Sequence, residues 1–537
     1  MKQLIFLLII IFIFLIISQI INSYKSKNIQ IKQEFDIIII GTGTTGAYLS
    51  NRLAKQFPEK KIIVLEKNKD IGGRLISVNY NQNLTQNPLE IAYEHGGMRF
   101  FPSIHPSVNK IANLLNLETV IVPYVNDNNL FYSRNTSFKI SNIFPGTDPL
   151  YILRDYEKNV NVSLVVKKNI SDILKKYEKN NHNLIKHKKL LFNRTEITAL
   201  DFKNAVTNGV IPISPDNWKR FLDINGYSTF FQDNSQFLTT AIEELSLSNT
   251  NSNNQHFIKN GYQQIPIKLM NKFNKISFND LIINNLVSNN LIINNSNFYK
   301  FKQTRDNKVA VYISDTNTSE KISLITKKLY ICTPIDSINN IEGFNHNFNY
   351  LISQNLKEVP LFKIFLKYNN NWWNKIGFTS GRCTTDLEFG QLWFYNNNTL
   401  MTYAAADQAK YWHNLIPYNH QLEFISINNE TTNIINILIS MYQKFFKNYN
   451  IDIPFPDKIA WSYHSNGLSF WKSGNFEKST NTIIKDLTNI NNTGNTYYLN
   501  NDVSLNQGWV EGCFEIVDDF IKEKYNMSGI LDHNFKI

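Results

Sequence analysis

Hydrophobic positions fall along this chain in blocks of differing period. Leu4 to Ile21 is apolar except at Ser18 and Gln19, with Lys2 before it and Lys25 and Lys27 after it. A run of that length between lysines reads as an address to the secretory pathway, and it just reaches bilayer-spanning length. Ser23 is the best small residue for cleavage, so residues 1–24 are expected to act as a retained anchor in preference to a cleaved signal, leaving the protein membrane-anchored or secreted. From Asp36 the pattern changes. Asp36 to Ile40 predicts a fully buried strand, Ala47 to Phe57 a helix with Tyr48, Leu49, Leu53 and Phe57 on its inner side, and Ile62 to Leu65 a second buried strand. Further strands are expected near Ile276 to Phe278, Ile282 to Leu286 and Leu329 to Cys332, the last leaving through Pro334, and Val359 to Tyr368 alternates as a strand. Leu164, Val165, Ile170, Ile173 and Leu174 recur at helical intervals, and Asp216 is the predicted cap of a helix carrying Trp218, Phe221 and Leu222.

The join between the first strand and helix carries the clearest chemistry. Gly41-Thr42-Gly43-Thr44-Thr45-Gly46 lies between them, and seven of the 21 glycines fall from Gly41 to Gly97. In such a unit Gly41 permits the tight turn, Gly43 lets a pyrophosphate approach the backbone, and Gly46 lets the helix pack on the strand, with phosphate charge facing the helix N-terminus. Glu66, at the end of the next strand, is placed to accept hydrogen bonds from an adenosine ribose. The unit predicts dinucleotide binding without separating a nicotinamide from a flavin.

Composition narrows the classes. Hydrophobic residues make up 42% and charged residues 18%, which predicts a packed interior. Cys332, Cys383 and Cys513 are the three cysteines and lack paired spacing, so neither a disulfide scaffold nor a metal site is expected. The formal net charge of +11 is scattered among asparagines and isoleucines with no compact basic run, and nucleic acid is not an expected partner.

The run Glu66-Lys67-Asn68-Lys69-Asp70-Ile71-Gly72-Gly73-Arg74 resembles the second fingerprint of the flavin-containing amine oxidase superfamily, in which the paired glycines pass close to the cofactor and the arginine faces its pyrophosphate. The resemblance implies FAD, held non-covalently, with Gly73 and Arg74 among its contacts. Glu94-His95-Gly96-Gly97-Met98-Arg99-Phe100-Phe101-Pro102, with His105 just beyond, is similar to a segment of the L-amino-acid oxidases. There the arginine clamps the substrate carboxylate, which assigns that role to Arg99 and sets Gly97, Met98 and Arg99 beside the cofactor. A planar guanidinium suits the task because it grips a carboxylate through two parallel hydrogen bonds. Val359 to Tyr368 resembles the strand whose lysine holds a water beside the flavin; Lys363 takes that catalytic role, with Lys367 competing. Gln391-Leu392-Trp393-Phe394-Tyr395 resembles a strand that brings an aromatic residue to the flavin face, here Tyr395 with Phe394 as alternate. Trp461 and the segment Ser465 to Lys472 are similar to a tryptophan and glycine segment of bacterial members. Gln507-Gly508-Trp509-Val510-Glu511-Gly512 resembles the closing motif, with Trp509 walling the substrate cage and Gly508 and Val510 against FAD. Before it the family has Gly-Glu where this chain reads Asn500-Asn501-Asp502, so either Asn501 or Asp502 takes the glutamate position. A hydrophobic residue near Ile282 is implied to hold adenine.

The implied fold class is α/β: a Rossmann-like FAD-binding domain from residues 34–76, 257–340 and 490–530, a mixed-sheet substrate domain from 77–144 and 341–489, and a helical insert over 145–245. The implied reaction is oxidative deamination of L-amino acids to 2-oxo acids, with molecular oxygen as acceptor and release of ammonia and hydrogen peroxide. A monoamine or polyamine oxidase and a catalytically degenerate flavoprotein are the alternatives. The membrane is a partner through the first segment if it is uncleaved, and a homo-oligomer is left open.

Overall fold

The computed structural model describes residues 29–79, 91–122, 128–139, 150–158, 190–192, 195–197, 214–226, 255–282, 288–396, 398–416, 418, 420–472, 480–533 and 535. Its first large sheet has eight strands and is centred on Ile29–Ile40. Ile37 to Ile40 pair in parallel with Ile62 to Leu65 on one side and with Lys328 to Ile331 on the other. Asn290–Ile293 and Asn274–Ile276 extend the first side in parallel, and Thr496–Tyr498 joins the Leu329 to Ile331 end. Val309–Asp315 and Ser296–Gln303 complete the sheet antiparallel. A parallel strand buried on both faces needs apolar side chains at every position, and Ile38, Ile39, Ile62, Ile63 and Val64 are all fully buried. Helix α1, Thr44–Gln56, covers this sheet.

Two expectations for the adenine side are corrected. The strand there is Asn274–Ile276, and Phe278–Ile282 is a short helix opened by Ser277 and Asp280. Ser277 Oγ and Asp280 exchange hydrogen bonds that favour a helix start over extension. Ile282 thus ends a helix, and Leu286 lies outside the described residues.

The second large sheet runs in the order His420–Ser426, Lys458–Trp471, Leu356–Lys367, Thr399–Ala405, Gln391–Asn396, Arg382–Thr385, Leu130–Ser133, Thr136–Lys139. Along Leu356–Lys367 the period-two rule sends Phe362, Ile364 and Leu366 into a core shared with helix Asn429–Phe445, while Leu361, Lys363 and Phe365 take the opposite face. That second face is also covered, so Lys363 is only 5% exposed.

Within the range of the expected helical insert the described residues form the turn Asp155–Glu157, the antiparallel strand pair Leu190–Phe192 and Thr195–Ile197, which is not helical, and the helix Pro215–Asn225. Its cap is Ser214, whose hydroxyl accepts from Asn217 N at 3.2 Å, and not Asp216. Pro215 at the first helical position fixes the start one residue earlier than a cap at Asp216 allows, and Asp216 accepts instead from Ile152 N at 2.6 Å. Leu164, Val165, Ile170, Ile173 and Leu174 lie outside the described residues, as does the apolar run Leu4 to Ile21. Among the described residues no helix is long and apolar enough to cross a membrane.

Candidate functional site

A single cavity of about 1560 Å³ joins the carboxyl ends of the first sheet to one face of the second. That exceeds the roughly 300–1,000 Å³ of a pocket for one small ligand. At its first end Gly41, with φ of 94°, turns the chain out of the Ile40 strand into α1. A Cβ on Gly46 would lie 2.0 Å from the Gly41 carbonyl oxygen, so the helix approaches the turn only through glycine. Gly73, with φ of 61°, packs against Gly43, where an added Cβ would fall 2.9 Å from the Gly43 Cα. The N-terminus of α1 has no side-chain cap and no acidic residue in its first turn, and Gly43, Thr44 and Thr45 line the cavity. Unsatisfied backbone donors facing a cavity are what a pyrophosphate requires. Glu66 also lines it and accepts from Thr42 N at 2.8 Å, Thr42 Oγ1 at 2.6 Å and Asn68 N at 2.9 Å. A carboxylate has about four acceptor positions, which leaves one for a ribose hydroxyl. These residues fit the expected dinucleotide.

The middle of the cavity departs from expectation at its acid. Asp502 is fully buried behind the lining, bonded to Arg74 Nη2 at 2.9 Å, Ile335 N at 3.0 Å and Asn466 Nδ2 at 3.3 Å. It therefore reaches a cofactor through Arg74, which does line the cavity. Asn501 lines it as well, but its amide is spent on its own loop: Nδ2 donates to Trp509 O at 2.6 Å, and Oδ1 accepts from Gly508 N at 3.2 Å. That stitching holds Gly508, Trp509 and Val510 against the cavity at the start of helix α2, Val510–Tyr525.

At the far end Gly97, Met98, Arg99 and Lys363 come together in the lining. Lys363 Nζ donates to Glu94 O at 2.8 Å and Gly96 O at 2.5 Å. Burial pushes this ammonium down, Glu94 opposes the shift, and Arg99 adds to it. Burial raises the Glu94 carboxyl, against hydrogen bonds from Ser77 Oγ and Tyr262 N. The Arg99 guanidinium lies 4.8 Å from the centroid of the Trp393 ring, a cation–π seat that holds a planar donor in one orientation. Lys367 sits off the cavity, its Nζ 5.8 Å from the Phe424 ring.

The aromatic assignment is corrected. Tyr395 is 7% exposed and lies outside the lining, its hydroxyl donating to Ala92 O at 2.7 Å and accepting from Glu94 N at 3.1 Å. Phe394 faces the opposite core. The aromatic beside Lys363 is Tyr403, whose ring centroid is 5.3 Å from Nζ and which pairs with Lys363 across the sheet. Pattern alone could not choose the strand, because Gln391–Asn396 and Thr399–Ala405 both carry aromatics. Ile282 likewise lies outside the lining, and Lys275 occupies that wall. Sequence reading also missed Gln391, His420 and His464 at this end; their signal is strand register, which pairs Gln391 with Tyr403, His464 with Leu361, and His420 with Ser462, the partner of Lys363, and which no linear motif carries.

Trp509 is set by two partners from distant chain. His105 lies 4.4 Å from it, ring to ring, and Phe101 lies 6.0 Å away. Glu511, the second residue of α2, accepts from Ser107 N and Val108 N, both at 3.0 Å, so it caps the helix Pro106–Leu114 from outside. Among the described residues no cluster of His, Cys, Asp and Glu is arranged to hold a metal ion.

Residues 50–421 match the model of a family described as flavin containing amine oxidoreductase. Uncharacterized protein R188 of Acanthamoeba polyphaga mimivirus is 25% identical over 527 residues, which span 93% of this chain and 96% of that protein. Two structures of putrescine oxidase variants, redesigned in cofactor binding, share the fold at 12% identity: a triple variant with a TM-score of 0.58 and a single variant with 0.57. Each covers 91% of this chain and 98% of its own.

Proposed function

Because this chain belongs to the flavin-containing amine oxidoreductase family, we propose that it binds FAD non-covalently and oxidises L-amino acids to 2-oxo acids, ammonia and hydrogen peroxide. The observation that carries the substrate class is the charge of the far end of the cavity. Arg99 and Lys363 line it, Glu94 behind them is pushed toward its neutral form, and the lining carboxylates stand elsewhere: Glu66 and Asp70 at the ribose end, Asp336 beside Arg74. A substrate carboxylate finds a countercharge there. A diamine or polyamine would bring ammonium groups to a wall that already carries cations, at a cost of a few kcal/mol in a partly dry site.

Bound flavin supplies the electron-accepting chemistry that no side chain here can perform. The chain's own part is placement and exclusion of water. Arg99, seated on Trp393, takes the carboxylate by two donors and fixes the α-carbon. Tyr403, Leu361 and Trp509 wall the substrate, and the surrounding cations favour the neutral amine, the form able to give up its α-hydrogen with the electron pair. Lys363, held by two carbonyls with its ammonium disfavoured by burial, can bind the water that later hydrolyses the imine. Non-covalent attachment is supported by the thiols of the lining: burial pushes Cys513 up to about 11 and Cys332 higher still, so neither offers a thiolate at neutral pH. The apolar N-terminal run supports a place in the secretory pathway, as a membrane-anchored or secreted oxidase.

The test is a peroxide-coupled screen of L-amino acids and amines on the native protein and on Arg99→Ala. Loss of one bidentate charged contact is worth about 1.5–3 kcal/mol, so kcat/KM for amino acids should fall roughly 10- to 150-fold while flavin absorbance is retained. Equal activity of the two proteins toward amino acids would reject the assignment, and activity on amines alone would replace it with an amine oxidase.

A further inference from the structure

The segment Glu94 to Gly97 is held from two sides. Its N–H groups turn to the stretch that carries Arg74: His95 N donates to Ile76 O at 2.8 Å and Gly97 N to Arg74 O at 3.2 Å. Its carbonyls turn to the second sheet. Lys363 Nζ takes those of Glu94 and Gly96, and the one between them, on His95, accepts from Ser462 Oγ at 2.7 Å and from His464 Nε2 at 3.0 Å. Strand register brings the three donors together: Ser462 stands opposite Lys363, and His464, opposite Leu361, follows one side-chain repeat later on the same face. A carbonyl can only accept, so His464 Nε2 carries the proton of a neutral ring. Burial keeps that ring neutral by pushing it down to about 3; His420, Lys363 and Arg74 add to the shift, and the bond to His95 opposes it.

The grip matters because the backbone it holds has little stiffness of its own. A Cβ on Gly96 would fall 1.8 Å from Arg74 O, so this position takes glycine, and glycine leaves the chain free to rotate on either side. Lys363 rests on two carbonyls of this segment, and Nζ also faces Met98 Sδ at 3.6 Å. A thioether accepts only weakly, so a water in the cavity can take that third donor. We infer that Ser462 and His464 are positioning residues for Lys363: by fixing the His95 carbonyl they fix the carbonyl on either side of it, and with them the direction in which the lysine presents its remaining N–H to the cavity. The inference rests on the reading of Lys363 as the lysine beside a bound flavin. It requires neither residue to touch the substrate. Ser462 is fully buried and lies outside the cavity lining.

The experiment uses the FAD-loaded full chain and the variants Ser462→Ala, His464→Phe and His464→Gln, each made with and without Lys363→Met. Anaerobic bleaching of the flavin by the most active substrate of the peroxide screen gives a limiting rate and an apparent substrate affinity. Ser462→Ala and His464→Phe are expected to lower the limiting rate roughly tenfold, as misplacement of a catalytic group does, with substrate affinity within about twofold of native. His464→Gln keeps an N–H donor and should recover most of that loss. On Lys363→Met none of the three should change the rate by more than about twofold, because the group they act through is gone. Equal losses with and without Lys363, or no loss in its presence, would overturn the inference. A second measurement needs no turnover: the rate at which acetic anhydride acetylates Lys363, located by mass spectrometry, with and without FAD. Release of the lysine should raise that rate at least about threefold in Ser462→Ala, as local loosening of a buried group does, and leave it near native in His464→Gln. An unchanged rate in Ser462→Ala would equally overturn the inference. Should the protein hold no flavin, or its flavin stay coloured with every L-amino acid and amine, the oxidase reading falls, while acetylation still decides whether Ser462 and His464 hold the lysine. Should His464→Phe fail to fold, Ser462→Ala and His464→Gln carry the same comparison.

Discussion

At the ribose end of the cavity the glycine turn, the acid and the second glycine pair come from one continuous stretch, Asp36 to Arg74, whereas the far end gathers Arg99, Lys363, Tyr403, His420 and His464 from separate segments. At the first end the backbone does the work: uncapped N–H groups of α1, a glycine turn and one carboxylate. At the second, side chains do it, and each is oriented by another element: Arg99 by Trp393, Lys363 by the carbonyls of Glu94 and Gly96, Trp509 by His105. A backbone site tolerates little change in its own few residues. A side-chain site is sensitive to residues far from it.

That contrast can be broken most severely at Gly46. Gly46→Ala puts a methyl group 2.0 Å from the Gly41 carbonyl, so either the helix or the turn must move. The expected outcome is loss of flavin absorbance and destabilisation of about 3 kcal/mol or more by denaturant unfolding. A yellow, stable variant would show that the turn is not the cofactor cradle.

Next in size is Glu511, which acts on the far end without touching it. Glu511→Ala leaves two donors at the Pro106 helix N-terminus without their carboxylate, and a loss of about 1–2 kcal/mol is expected. Because the same contact sets His105 beside Trp509, KM should rise severalfold with the flavin spectrum unchanged.

The corrected aromatics give a sharper and smaller test. Tyr403→Leu should lower kcat/KM roughly tenfold, since the ring stands beside Lys363. Tyr395→Phe removes hydrogen bonds to Ala92 O and Glu94 N and should show mainly as about 1 kcal/mol of stability. Interchanged effects would return Tyr395 to the cavity.

The smallest effect is on pH stability. Burial pushes His95 and His464 down to about 3, below the ordinary 6.5 of the unfolded chain. The unfolded chain therefore binds more protons between those values, and stability falls as pH drops from 6.5 toward 3. Thermal unfolding across that range should show His95→Phe less sensitive to acid than the native protein.

What could be read from the sequence follows the same division. Gly41, Gly43, Gly46 and Glu66 were legible because local spacing alone determines a strand–turn–helix and its acid, whereas Gly73 and Arg74 rested on the resemblance of the segment that follows. Arg99, Lys363 and Trp509 were legible through family motifs. Tyr403, His420 and His464 were not, since their meeting depends on antiparallel register between strands distant in sequence. Asp502 was misread because its partner is Arg74 and not the cavity, a choice made by tertiary packing. Ile282 and the Asp216 cap were misplaced by local competition, from Ser277 with Asp280 and from Ser214 with Pro215.

Anaerobic titration of the FAD-loaded protein with L-amino acids bears most directly on a flavin seated between Glu66 and Arg99. The expected result is bleaching of the flavin band by at least one L-amino acid, restored by oxygen with formation of peroxide, and strongly weakened in Arg99→Ala. A protein that binds no FAD, or whose bound flavin keeps its colour with every L-amino acid, would contradict it.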